Sequence, residues 1–221
     1  MKIVALTDLH GVSDFFSYLD NDLTEADLVV ITGDITHFGG EKQTQKILSQ
    51  VEKMNRSILA VPGNCDKKEV NNYLVSKDYS IDCRYKEINE IFFMGVGGSL
   101  PCPGTTPNEY SEDEFLTFLE STASYNNKGL PLVFITHQSP FNTINDKLPD
   151  GFHIGSHSIR FFIEKYQPLI CFCGHVHEGI GIDYIGKSIV VNPGPFRMGS
   201  FTEAIINKLD AKAEIINALT R

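Results

Sequence analysis

Short apolar runs recur along the chain, and several break off at a residue able to bind a metal. Ile3-Val4-Ala5-Leu6 runs into Asp8 and His10, and Leu28-Val29-Val30-Ile31 runs into Gly33-Asp34. Ile58-Leu59-Ala60-Val61 leads to Gly63-Asn64, and Leu132-Val133-Phe134-Ile135 leads to His137. Leu169 to Cys173 leads to Gly174-His175-Val176-His177, and Ile189-Val190-Val191 leads to Asn192. Runs this short, rich in Val and Ile and bounded by Gly or Pro, predict buried strands. Ligand-type residues just past their carboxyl ends fall where α/β sheets keep their active sites.

Between these runs the period changes. Ile47, Leu48, Val51 and Met54 recur at helical spacing within 41–54, and residues 159–166 read as another helix closed by Pro168. Ser111-Glu112-Asp113-Glu114 is a capping box opening a helix with Phe115, Leu116, Phe118 and Leu119 on its apolar face. Alternation of strand and helix implies parallel strands covered by helices. Two places break that rhythm. Residues 81–88 and 91–96, joined by Asn89-Glu90, predict a hairpin, and so do 201–209 and 211–219 around Asp210. The expected architecture is mixed α/β, with two sheets packed together and helices outside, over 1–221 as one domain. Long loops at 99–110 and 138–156 are expected to serve function or to move.

Composition narrows the class. The chain of 221 residues is 42% hydrophobic and 21% charged, as in ordinary globular proteins. A net charge of −9 argues against binding a nucleic-acid backbone, which needs a basic face. A small phosphorylated substrate stays compatible, because a bound metal reverses the local field. The five cysteines are Cys65, Cys83, Cys102, Cys171 and Cys173, an odd number without zinc-ribbon spacing. Cys171 and Cys173 read as small core residues, and a reducing, cytoplasmic setting fits. The first apolar run is too short for a signal segment or a membrane span, so no membrane association is expected. The sequence leaves the oligomeric state open.

Asp8-x-His10 and His175-x-His177 each place two ligands on one side of an extended chain. Either dyad alone is common, and Gly33-Asp34 or Gly63-Asn64 alone is ordinary turn chemistry. Taken with His137, the set joins imidazole and oxygen ligands suited to Mn, Fe, Zn or Ni. Seven ligands, Asp8, His10, Asp34, Asn64, His137, His175 and His177, exceed what one zinc takes, so two divalent metal ions sharing a carboxylate is the economical reading.

Asp8-Leu9-His10, Gly33-Asp34, Gly63-Asn64-Cys65-Asp66, His137 and Gly174-His175-Val176-His177 together resemble the five blocks of the calcineurin-like metallophosphoesterases. The resemblance implies a four-layer αββα sandwich of two mixed sheets with a dinuclear centre. It implies one metal on Asp8, His10, Asp34 and His177, and another on Asp34, Asn64, His137 and His175, with Asp34 bridging. It also implies hydrolysis of a phosphoric ester, a phosphodiester before a phosphomonoester or phosphoprotein, by a hydroxide bridging the metals. A binding scaffold of the same fold with little activity is the alternative from another class, although such scaffolds typically lack part of the ligand set.

Asn64, Cys65 and Asp66 are the candidate catalytic residues. The family's third block is usually Gly-Asn-His, with His thought to protonate the leaving group; here that position is Cys65. A neutral thiol offers no cation and is a weak proton donor. Gly-Asn-Cys-Asp also resembles a subgroup of small members with phosphodiesterase-like activity. Asn64 can also donate a hydrogen bond to the phosphoryl oxygen, and Asp66 can also anchor its own turn. His37 and Arg197 stand where they can reach substrate, with surface residues as the default. His153 and His157 read as solvated, and Asn192-Pro193-Gly194 as a structural turn.

Overall fold

A computed structural model describes residues 1–220. Strands β1 (Lys2–Leu6), β2 (Leu28–Ile31) and β3 (Ile58–Ala60) run parallel, joined through helices α1 (Asp20–Glu25) and α2 (Glu41–Glu52). Helix α3 (Lys68–Ser76) follows β3. The chain then enters a second sheet through the hairpin β4 (Arg84–Ile88) and β5 (Ile91–Val96). Asn89 and Glu90, the predicted turn, both take positive φ, as a two-residue loop that follows strand twist requires.

Helix α4 (Glu112–Ala123), β6 (Leu132–Thr136), helix α5 (His157–Tyr166) and β7 (Ile170–Phe172) continue the parallel part of that sheet. A hairpin of β8 (Gly181–Ile185) and β9 (Ser188–Asn192) completes it. The final hairpin, β10 (Ser200–Ile206) and β11 (Ala211–Asn217), returns to the first sheet beside β1. The first sheet is ordered β11-β10-β1-β2-β3 and the second β4-β5-β6-β7-β9-β8.

Alternation along the strands produces the layers. In β1, Val4 and Leu6 face α1, α2 and α3, whereas Ile3 and Ala5 face the other sheet. In β6, Val133 and Ile135 face inward between the sheets, whereas Leu132 and Phe134 face α4 and α5. Strands buried on both faces carry apolar residues at every position, which is why they read as runs rather than as alternation. The result is three apolar interfaces between four layers, helix, sheet, sheet, helix. Cys171 and Cys173 lie in the interface against α4 and α5, as expected. No helix among the described residues is long and apolar enough to cross a membrane.

The capping box at Ser111 forms, with Glu114 reaching back to the Ser111 N–H at 2.8 Å. Beside it, Glu112 accepts from Ser156 Oγ at 2.6 Å and from the N–H groups of His157 and Ser158 at 2.8 and 2.9 Å. One carboxylate at the start of α4 thus satisfies free donors at the start of α5.

Candidate metal centre

The carboxyl ends of β1, β2, β3, β6 and β7 open onto one place. Asp8, His10, Asp34 and His175 all sit in the left-handed region, with φ of 50, 45, 47 and 70°. Non-glycine residues rarely adopt it, and bunching of such residues marks a site where geometry outweighs local strain. Backbone bonds from Asp8 N–H to Gly33 O and from His10 N–H to Asp34 O, at 3.1 and 2.7 Å, hold the first two loops together. Gly63 must stay bare, because a Cβ there would land on Asp34 Oδ1. A Cβ on Gly174 would land on Thr7 Oγ1. These two glycines let the second and third loops, and the first and fifth, touch.

One group of donors gathers around His10. Its Nε2 lies 3.2 Å from His177 Nε2, 3.8 Å from Asp8 Oδ1 and 3.6 Å from Asp34 Oδ2. His177 Nε2 lies 3.3 Å from Asp8 Oδ1. The second group gathers around Asn64 Oδ1, with His137 Nε2 at 2.9 Å and His175 Nδ1 at 3.0 Å. Asp34 stands between them, its Oδ1 3.6 Å from His137 Nε2. All seven residues expected as ligands are therefore brought together.

The donor set fits cations. His137 Nδ1 faces the Thr32 carbonyl at 2.8 Å, and a carbonyl only accepts, so Nδ1 carries the proton. With Nδ1 turned outward, Nε2 is the ring atom left facing Asn64 Oδ1. An outward bond that sets the tautomer is the usual support of a metal-ligating histidine. His10 Nδ1 is buried without a hydrogen-bond partner among the described residues, and Asp8 Oδ1 has only the His177 contact at 3.3 Å. Burial lowers His10 to about 4 and His175 to about 3, leaving both rings in the neutral form that ligates. Burial also pushes Asp34 up to about 6, with Asp8 and Asp66 adding to the rise against His137. For Asp8 burial acts upward too, but the hydrogen bond with His177, then the charges of His137 and His177, hold it well below the usual range. Crowded carboxylates beside the neutral His10 and His175 rings are what bound cations stabilise.

The three candidate catalytic residues separate. Asn64 points into the second donor group. Cys65 is buried with its N–H on Asp34 Oδ1 at 2.8 Å. Burial and the Asp34 carboxylate push its thiol far above the ordinary range, so it stays protonated. Asp66 is turned elsewhere. Its Oδ1 accepts from Thr36 N–H and Thr36 Oγ at 2.8 and 2.7 Å, and its Oδ2 from Ile35 N–H and Gly63 N–H at 3.0 and 2.9 Å. All four lone-pair positions are used. Asp66 therefore clamps the Asp34 loop to the Asn64 loop, a wider part than anchoring its own turn, and has no free acceptor for a reacting group.

His37 is exposed, with its ring 5.5 Å from that of His10. Arg197 is also exposed; the Asp8 hydrogen bond raises His177, and the Arg197 charge acts against it. His153, expected to be solvated, instead bonds through Nδ1 to buried Asp146 at 2.8 Å. His157 stacks on Phe141 at 3.9 Å between ring centroids. Asn192 keeps its structural part, donating to Val176 O at 2.9 Å and accepting from Gly194 N–H at 2.8 Å. Sequence reasoning missed Thr7, which donates to Asp8 at 2.8 Å, and Cys102, whose Sγ lies 3.7 Å from His175 Nε2.

Comparison with known proteins bears on this centre. The profile of the calcineurin-like phosphoesterase family matches residues 1–179. An uncharacterized protein of Methanocaldococcus jannaschii is 43% identical over 206 residues, 88% of each chain. A probable glycerophosphodiester phosphodiesterase of Arcobacter nitrofigilis is 25% identical over 216 residues, spanning 95% of this chain and 77% of the relative. A crystal structure of a Thermus thermophilus protein shares the fold, with a TM-score of 0.74 at 19% identity over 98% of both chains.

Proposed function

The chain belongs to the calcineurin-like phosphoesterase family, and on that premise we propose that it hydrolyses phosphodiesters with two divalent metal ions. Asp8, His10, Asp34 and His177 hold one ion, and Asp34, Asn64, His137 and His175 the other. The observation that carries this reading is the placing of Asp34, whose Oδ2 lies 3.6 Å from His10 and whose Oδ1 lies 3.6 Å from His137. Bound there, the ions supply charge to the phosphoryl oxygens and lower the pKa of water enough for it to attack near neutral pH.

The chain's own residues set the preference for a diester. A phosphomonoester dianion asks for more positive charge than a diester monoanion does. Here three carboxylates, Asp8, Asp34 and Asp66, are buried at the site, and position 65 supplies a neutral thiol in place of a cation. Arg197, exposed and electrostatically felt by His177, is the candidate to meet a non-bridging oxygen. Asn64 keeps its amide protons for the phosphoryl group while its oxygen faces the histidines. With only a weak proton donor at position 65, good leaving groups should be favoured. The phosphodiesterase named among the relatives agrees with this preference.

The test is a substrate screen on protein loaded in turn with Mn, Fe, Zn or Ni. Aryl, cyclic-nucleotide and dinucleotide diesters are compared with aryl and alkyl monoesters by kcat/KM. Higher values for diesters are expected. Equal or higher values for monoesters would replace the reading with a phosphomonoesterase, and no turnover with any metal would favour a scaffold.

A further inference from the structure

The loop that carries Asp34 continues into a feature the metal centre does not use. Phe38 has φ of 55°, and among the described residues it is the only hydrocarbon side chain on a non-glycine residue with positive φ. A bulky residue in that region is a genuine outlier, kept only where the surroundings demand it. Core packing is not that demand, because Phe38 is 43% exposed and belongs to none of the three apolar interfaces. Its ring instead meets His37 edge-on, with centroids 5.0 Å apart at 72°. His37 meets His10 at 5.5 Å and 76°, and His10 meets His177 at 5.3 Å and 72°. Four rings thus run in edge contact from the outer rim to the donor group around His10.

We propose that Phe38 and His37 form an aromatic platform that binds a planar ring on the alcohol of the substrate ester. The proposal rests on the phosphodiesterase reading and narrows it to esters of phenols or nucleosides, against esters of glycerol or simple alkyl alcohols. The platform belongs to the same loop as Asp34, so a phosphoryl group at the centre and a ring at the rim can be held by one segment. An exposed phenyl face beside an imidazole offers dispersion and edge contact to any flat ring. It offers little to a polyol.

Phosphonates that cannot lose their organic group separate binding from leaving-group acidity. Equilibrium binding of phenylphosphonate and methylphosphonate to Mn-loaded protein is measured by calorimetry, for wild type, Phe38→Ala, Phe38→Leu and Phe38→Tyr. Wild type should prefer phenylphosphonate by roughly five- to a hundredfold, the range of stacking on one aromatic side chain. Phe38→Ala and Phe38→Leu should lose most of that preference with methylphosphonate unchanged, and Phe38→Tyr should keep it. A second pair, adenosine 5′-monophosphate against ribose 5-phosphate, identifies the source: a preference in both pairs points to nucleosides, and one in the phenyl pair alone to aryl esters. Methylphosphonate binding without a phenyl preference, or a preference that survives Phe38→Ala and Phe38→Leu, would overturn the platform alone. Where these dianions do not bind, the same comparison is read on the monoanionic methyl esters of the two phosphonates, and failure of those as well would overturn the phosphoesterase reading and the platform with it.

Discussion

Replacing Asp66 by Asn separates a clamp from a reacting group. The wild-type carboxylate takes four hydrogen bonds, from Ile35 N–H, Gly63 N–H, Thr36 N–H and Thr36 Oγ. An amide keeps one acceptor oxygen and turns two protons toward donors. The least costly orientation puts the amide nitrogen at the Oδ1 position, because Thr36 Oγ can rotate to accept and can still donate to Gly39 O. Thr36 N–H then loses its partner inside the protein, at about 1–3 kcal/mol. The bonds from Ile35 and Gly63 lose charge assistance, at about 1 kcal/mol each. Burial pushes Asp66 above its ordinary pKa, so removing the charge returns part of this. A net loss of about 2–4 kcal/mol remains, or about 4–16 °C in Tm at this chain length.

The assay pairs thermal unfolding of metal-free and metal-loaded Asp66→Asn with metal titration and kcat/KM. A clamp predicts a lower Tm in both forms, weaker metal binding and an activity loss partly recovered at high metal concentration. A group acting on substrate predicts lost activity at all metal concentrations with Tm unchanged or raised. That second pattern would refute the reasoning.

His175→Ala and His177→Ala should deplete different ions, because the rings face Asn64 and Asp8 respectively; anomalous scattering from the two variants checks this, and loss of the same ion in both would break the assignment. Cys65→Ala should leave kcat/KM for aryl diesters within a few-fold, because the thiol stays neutral, whereas a loss above roughly a hundredfold, the lower end of general-acid effects, would make Cys65 a direct participant. Across a series of phenol leaving groups the wild-type rate should rise steeply with phenol acidity, and Cys65→His should restore some monoesterase activity. Glu112 is pushed up by burial but held below its ordinary 4.5 by donors from Ser156, Ser158 and His157. A carboxyl with a lowered folded pKa stabilises above its unfolded value and loses that contribution as pH falls through the folded one. The Tm gap between wild type and Glu112→Gln should thus be full at pH 7 and shrink below about pH 4.5; a gap independent of pH would contradict it.

The two-sided burial of the central strands is what made them legible, since runs such as Val29-Val30-Ile31 are apolar at every position. The candidate ligands were legible for a related reason: His137 and His175 each follow such a run after a single residue, and a polar residue there has few other places to go. The elements missed lacked that signal. Strand β8 is half exposed and begins at a glycine, and α1 is six residues long. The Asp66 clamp was half visible. Its own turn is encoded in 63–66, but its bonds to Ile35 and Thr36 join segments that only the fold brings together. The Asp146–His153 pair and the contact of Cys102 with His175 lie in the two long loops, where no period constrains direction. Phe38 betrays itself only through φ, which composition does not report.

The central claim is that Asp34 joins two ion sites. Protein reconstituted with Mn²⁺, desalted and assayed for metal per chain tests it most directly, with circular dichroism confirming the fold of each sample. Wild type should retain two ions per chain, and Asp34→Asn at most one, with its secondary structure intact and its diesterase activity nearly abolished. Two ions retained by Asp34→Asn, or one or none by wild type, would contradict the account.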